Sequence, residues 1–218
     1  MSIEKTISSP VITHPDYFLE SCVTTLTSAL SAEQNGAARL EICADLDSGG
    51  LTPDFNLAEK ICNSVRIPVR VMIRETSQGF EAGKDVLEKM ISSIKEFKKL
   101  KIDGFVIGLL KNNKVDRESM LEIIKHTYPF PLTFHKAIDL SSDKWNDIQW
   151  INDQKSIDTI LTSGSAEQAI DGIDEIIKAK NIFERNIMAA GKIVPEQLPF
   201  LHEKLQLKWY HGRSIVRE

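Results

Sequence analysis

The sequence predicts a closed (β/α)8 barrel, and three observations carry that reading. Eight short runs rich in apolar and β-branched residues recur along 218 residues. Longer segments with apolar residues at helical spacing separate them, and strict alternation of this kind requires a parallel sheet covered by helices. A count of eight favours closure over an open, doubly wound sheet of five or six strands. No linker, internal repeat or low-complexity stretch interrupts the alternation, so residues 1–218 read as one domain.

The strand-like runs are, in order, Phe18 to Val23, Arg39 to Cys43, Val69 to Ile73, Gly104 to Ile107, Leu132 to His135, Thr159 to Ser163, Asn186 to Ala189 and Lys208 to His211. Between the second and third, Leu57, Ile61, Cys62 and Val65 form a helical stripe; Cys62 is packing there. Leu87, Met90, Ile91, Ile94 and Phe97 do the same before the fourth run. After the sixth, Ala169, Ile170, Ile173, Ile176 and Ile177 mark a helix, and Ser165 with Gln168 three residues on reads as the capping box that starts it. Pro195 suits a first helical turn before the last strand. Only Gly212 to Glu218 follow that strand, so the eighth helix is short, missing or supplied by the first seventeen residues.

Composition narrows the function. With 42% hydrophobic and 27% charged residues, and 27 basic against 31 acidic side chains, the chain is an ordinary globular protein of net charge −4. It lacks the basic stripe that a phosphate backbone demands, which argues against a nucleic-acid partner. The longest nearly uninterrupted apolar run, Gly104 to Leu110, falls far short of the ~20 residues that span a bilayer. The start shows no basic-then-apolar pattern, and the expectation is a cytoplasmic protein without a membrane partner. Three cysteines at 22, 43 and 62 form neither a disulfide framework nor a closely spaced zinc motif, and in a reducing compartment they remain thiols.

In such a barrel chemistry collects at the C-terminal ends of the strands, where the loops form an open cup. Side chains alternate along a strand, so Glu20 and Cys22 share a face, as do Glu41 and Cys43, then Arg70, Met72 and Arg74, then Thr133 and His135. The opposite faces carry Leu19, Leu40, Ile42, Val71, Ile73, Leu132 and Phe134, which belong against the helices; the polar set therefore points inward. Glu41 is expected either to pair with Arg70 or Arg74 or to serve a ligand, because an interior charge is costly unless compensated. His135 ends a strand before a polar loop. Cys22 and Cys43, on strands ~4.8 Å apart, could hold a soft metal ion with Met72 as a thioether neighbour, and thiolates suit Cu(I). Equally, buried thiols serve as small core hydrophobes. The loop Thr162 to Ser165 could present backbone N–H groups to an anion, with Gly191 and Lys192 nearby.

Several of these segments together resemble one family. Ala38-Arg39-Leu40-Glu41-Ile42-Cys43, followed by Gly49-Gly50-Leu51-Thr52-Pro53, is similar to the signature of the CutC copper homeostasis proteins. Met72-Ile73-Arg74, Asp103 to Gly108, Thr133-Phe134-His135 with Ala137 and Asp139, and Leu161-Thr162-Ser163-Gly164 follow in the family's order. The resemblance implies a cytoplasmic barrel that self-associates and handles Cu(I), with Cys22 and Cys43 as the copper-linked pair. It also implies that Glu41, Arg74 and His135 line a ligand cup, to which the polar strand ends add Glu20 and His211 and the loop after the sixth strand adds Ser163 and Gly164 as candidate ligand-binding residues. A second reading, from the interior polarity, is an enzyme or enzyme remnant acting on a small anionic metabolite held by Arg74, with Glu41 or His135 as acid or base. A third is an interaction protein whose exposed eighth strand is the contact surface. The chain departs from the family's pattern at Glu75 to Phe80, Lys136, Met188 to Lys192 and His211 to Ser214, so the anion side of the cup is rebuilt while the thiol side is kept.

Overall fold

The structure, a computed structural model, describes residues 16–216. Eight parallel strands close on themselves in the order β1, β8, β7, β6, β5, β4, β3, β2. They are β1 (Phe18–Val23), β2 (Arg39–Ile42), β3 (Val69–Met72), β4 (Gly104–Ile107), β5 (Leu132–Phe134), β6 (Ile157–Thr162), β7 (Asn186–Ala189) and β8 (Trp209–Gly212). Each expected run forms its strand, three with the same ends and the rest shifted by one or two residues. Seven helices pack outside among the described residues: α1 (Leu26–Gln34), α2 (Phe55–Ser64), α3 (Lys84–Phe97), α4 (Arg117–Thr127), α5 (Lys144–Asp153), α6 (Ile173–Ile182) and α7 (Leu198–Leu205).

Local chemistry fixes these helices. Thr25 and Ser28 cap α1 reciprocally, Asp54 accepts from the Leu57 amide at the start of α2, and Asp116 from Ser119 at the start of α4. The α3 stripe buries Met90, Ile94 and Phe97 against the sheet, as its spacing predicts. Outward residues of the strands, including Leu40, Ile42, Val71, Ile73, Phe105 and Phe134, are fully buried in the same apolar layer. Between β4 and α4 an unforeseen hairpin, Leu110–Lys111 with Lys114–Val115, turns on Asn112 and Asn113, both at positive φ.

Two expectations are corrected. Ser165 and Gln168 do not cap a helix: Ser165 sits at φ 61, a 3-10 turn spans Ala169–Asp171, and α6 begins only at Ile173. The reason lies in Asp139, whose carboxylate takes the amides of Ser163 and Ser165 and bends the loop away from helical geometry. Strand β8 is no exposed contact surface either. It pairs with both β1 and β7, and Tyr210 is completely buried beneath Tyr17 and His202. After β8 the described chain makes only a turn. Whether the first residues supply the missing helix concerns residues 1–15, which lie outside the described range.

Candidate metal and ligand site

The barrel interior is stratified. Toward the N-terminal ends of the strands, Arg70 grips Asp158 with two nitrogens at 2.8 and 2.6 Å, also bonds Thr133, and has its Nε 3.5 Å from Asp103. Arg39 pairs with Glu20 and lays its guanidinium 4.2 Å from the centre of the Trp209 ring. His211 Nδ1 contacts the other Glu20 oxygen at 2.9 Å. Burial alone would raise the Glu20 pKa, but Arg39 and His211 hold it down to about 2. For His211 burial acts the other way, yet the Glu41 and Glu20 carboxylates outweigh it and raise its pKa.

One level up stand the thiols. Cys22 and Cys43 are buried with their Sγ atoms 3.1 Å apart, packed with Met72, Val106 and Leu46. The thiol of Cys22 also points at Glu41 Oε1, 3.6 Å away. Its proton is held tightly, through the Cys43 contact first, then burial and the adjacent Glu41. Glu41 Oε2 is buried and has no hydrogen-bond partner. Burial raises the Glu41 pKa, with the His211 charge opposing. Cys22, Glu41 and Cys43 each bring a donor atom within 4.8 Å of the others, and so do Glu20, Glu41 and His211. Gly50 roofs the thiols: a Cβ there would lie 3.4 Å from Met72 Cε and 3.5 Å from Cys43 Cβ, and its φ of +90 excludes most side chains anyway.

Above the thiols opens a cup of about 200 Å³ at the C-terminal ends of the strands. Cys22, Glu41, His135 and His211 reach it from below, and Lys136, Lys192 and Arg213 stand around it. His135 is buried, its Nδ1 accepts from the Ala137 amide, and this places its proton on Nε2. Burial, helped by the nearby Arg74 charge, lowers its pKa to about 3, so the ring is neutral. Gly108 permits this seat, since a Cβ at that position would strike His135 Nδ1 at 2.6 Å.

The structure therefore brings Glu20, Cys22, Glu41, Cys43, His135 and His211 together, and leaves three expected residues elsewhere. Arg74 turns away from the cup. It donates to the carbonyls of Ser48, Gly50, Ser77 and Gly79, and so ties the Gly49-Gly50 loop to the loop after β3. Of the two alternatives for Glu41, pairing does not occur: loop carbonyls occupy Arg74, and the aspartates at the strand starts draw in Arg70. Ser163 and Gly164 do not line the cup; Asp139 already takes the Ser163 amide and hydroxyl, and Gly164 donates to Thr162. The cup residues Phe80, Lys136 and Arg213 were not singled out as site residues. Lys136 and Arg213 follow closely on strand ends, and all three lie in segments where the chain departs from the family pattern.

Fold and site together define a (β/α)8-barrel protein with a buried two-thiol, one-carboxylate donor cluster beneath its cup. The chain belongs to the CutC family, whose sequence model matches residues 17–215. It is 31% identical to the copper homeostasis protein cutC homolog of Dictyostelium discoideum, over 90% of this chain and 81% of that protein. It is 33% identical to the human homolog over 82% of this chain but only 63% of that protein, spanning under two thirds of its length. Among solved structures it is similar to one described as a copper homeostasis protein CutC from Streptococcus agalactiae, with a TM-score of 0.85, 27% identity and coverage of 92% of this chain and 100% of that one.

Proposed function

We propose that this protein binds Cu(I) through Cys22 and Cys43 in the cytoplasm and serves copper homeostasis, the role named for its relatives. The observation that carries the reading is the 3.1 Å approach of two buried thiols next to a carboxylate oxygen that nothing else satisfies. A buried polar atom without a partner costs on the order of 1–3 kcal/mol, more if charged, and a bound cation removes that penalty. Two thiolates with a nearby thioether form a soft donor set, which favours Cu(I) over hard divalent ions. The third cysteine does not belong to this chemistry. Cys62 is buried on α2, where desolvation pushes its thiol up to about 11.

The test is an anaerobic competition titration against a Cu(I) chelator. Cys22→Ser and Cys43→Ser should each weaken binding by more than the ~10–100-fold that loss of an outer-shell partner costs, whereas Cys62→Ser should leave it unchanged. Equal affinity in all four proteins would remove the thiol site.

A further inference from the structure

We infer that the cup above the thiols is a binding site for a small hydroxylated phosphate monoester, with the phosphoryl group held by Lys136, Lys192 and Arg213. The phosphoryl end uses side chains that take no part in the copper reading, while Glu41 and Met72 border both.

The charge lining the cup is one-sided. Lys192 stands on the loop after β7, Arg213 on the turn after β8 and Lys136 on the turn after β5, and all three line the opening. Among the described residues Lys136 and Arg213 form no ion pair, while Lys192 reaches only Glu167, a pair exposed on both sides. Among the described residues no acidic side chain lines the mouth, and the one carboxylate on the wall, Glu41, is buried below. Three cations converging on one concavity repel each other and raise the local concentration of anions. A dianion relieves that repulsion more than a monoanion does.

The sector has the right form for a phosphoryl group. Barrels of this class commonly hold phosphate in the loops after strands seven and eight. Here Gly191, on the loop after β7, and Gly212, the last residue of β8, stand at the cup wall, each directly before one of the cations. Gly191 adopts φ +112, and a Cβ there would meet Ser163 Cβ at 2.9 Å, so the loop can take this path only with glycine. Arg213 offers a planar fork suited to two phosphoryl oxygens, and the lysines act as point charges.

The rest of the cup describes the body of the ligand. Its volume of about 200 Å³ is below the roughly 300–1,000 Å³ of sites for drug-sized molecules, which limits the ligand to a few carbons beyond the phosphoryl group. Two polar side chains border that space from below, the Glu41 carboxyl and His135, whose ring proton sits on Nε2. An alcohol both donates and accepts, so a hydroxyl near the floor serves both groups. Met72, Phe80 and Leu161 supply the apolar wall against its carbons. Arg74, the natural sequence candidate for an anion, takes no part because loop carbonyls occupy its nitrogens.

Isothermal titration calorimetry on the copper-free full chain tests this with glycerol 3-phosphate, inorganic phosphate, succinate and glycerol as probes. The expected order is glycerol 3-phosphate, then phosphate, then succinate, with no heat from glycerol. Arg213→Ala and Lys192→Ala should each weaken glycerol 3-phosphate about tenfold or more, and Lys136→Ala somewhat less; Lys192 and Arg213 are exposed and Lys136 half-buried, and unchanged melting temperatures confirm intact folds. Cys43→Ser, at a thiol that does not line the cup, should bind the probe like the parent, which keeps this outcome apart from any failure of the copper site. No binding of either phosphate probe, equal affinity for succinate, or undiminished binding by the variant lacking all three cations would each overturn the inference.

Discussion

Glu20 and Glu41 occupy the same local motif, a glutamate two residues before a cysteine, on adjacent strands of one barrel, and yet they live in opposite environments. Glu20 is fully buried between Arg39 and His211, both of its oxygens are engaged, and its pKa lies near 2. Glu41 is just as buried, has one oxygen toward a thiol and the other toward nothing, and its pKa is raised. The difference follows from height in the barrel. Glu20 is level with the basic residues of the lower interior, whereas Glu41 faces the sulfur layer under the cup. A satisfied carboxylate is scaffold, and an unsatisfied one marks where a ligand belongs.

The comparison can be broken at either end. The largest effect should come from Glu20→Gln, which removes the carboxylate partner of buried Arg39 and His211; removing one partner of a buried ion pair costs about 3–5 kcal/mol. A urea unfolding curve that shifts by less than about 1 kcal/mol would mean the lower network is not structural.

A middle effect concerns His135. The unfolded imidazole titrates near 6.5, and the folded ring does not take its proton until about pH 3. Between these values the unfolded chain binds the extra proton, so this contribution to stability is complete above pH 6.5 and is lost as the pH falls from there toward 3. At pH 5 the loss is about 2 kcal/mol. Comparing urea midpoints at pH 7.5 and pH 5, the parent should lose that much more than His135→Gln; equal losses would show that the ring is not held neutral.

The smallest effect sharpens the contrast. Glu41→Gln should change the stability of the copper-free protein by no more than about 1 kcal/mol, since it replaces a poorly satisfied carboxyl with a neutral amide of the same shape, yet it should weaken Cu(I) in the chelator competition. A destabilisation matching that of Glu20→Gln would erase the distinction between the two glutamates.

Much of this was legible in the chain. Alternating short runs gave all eight strands, and the period of two correctly sent Glu20, Cys22, Glu41 and Cys43 inward while Leu40, Ile42 and Phe134 faced the helices. What the pattern could not carry was the direction of long side chains once the strand had ended. Arg74 continues the inward register of Arg70 and Met72, but at the strand end its flexible stem is free to reach loop carbonyls that no periodicity describes. Ser163 looked like an anion cradle because its anion, Asp139, comes from a loop 24 residues earlier in the chain. The Ser165 cap failed for the same reason. Polar partners made over long sequence separations decide which groups remain available, and they become visible only in three dimensions.

Copper K-edge absorption spectroscopy on the anaerobically reconstituted protein tests the central claim most directly. The account predicts a first shell dominated by sulfur, reduced in Cys22→Ser and in Cys43→Ser and unchanged in Cys62→Ser. A shell of nitrogen and oxygen neighbours only, identical in all four proteins, would contradict it.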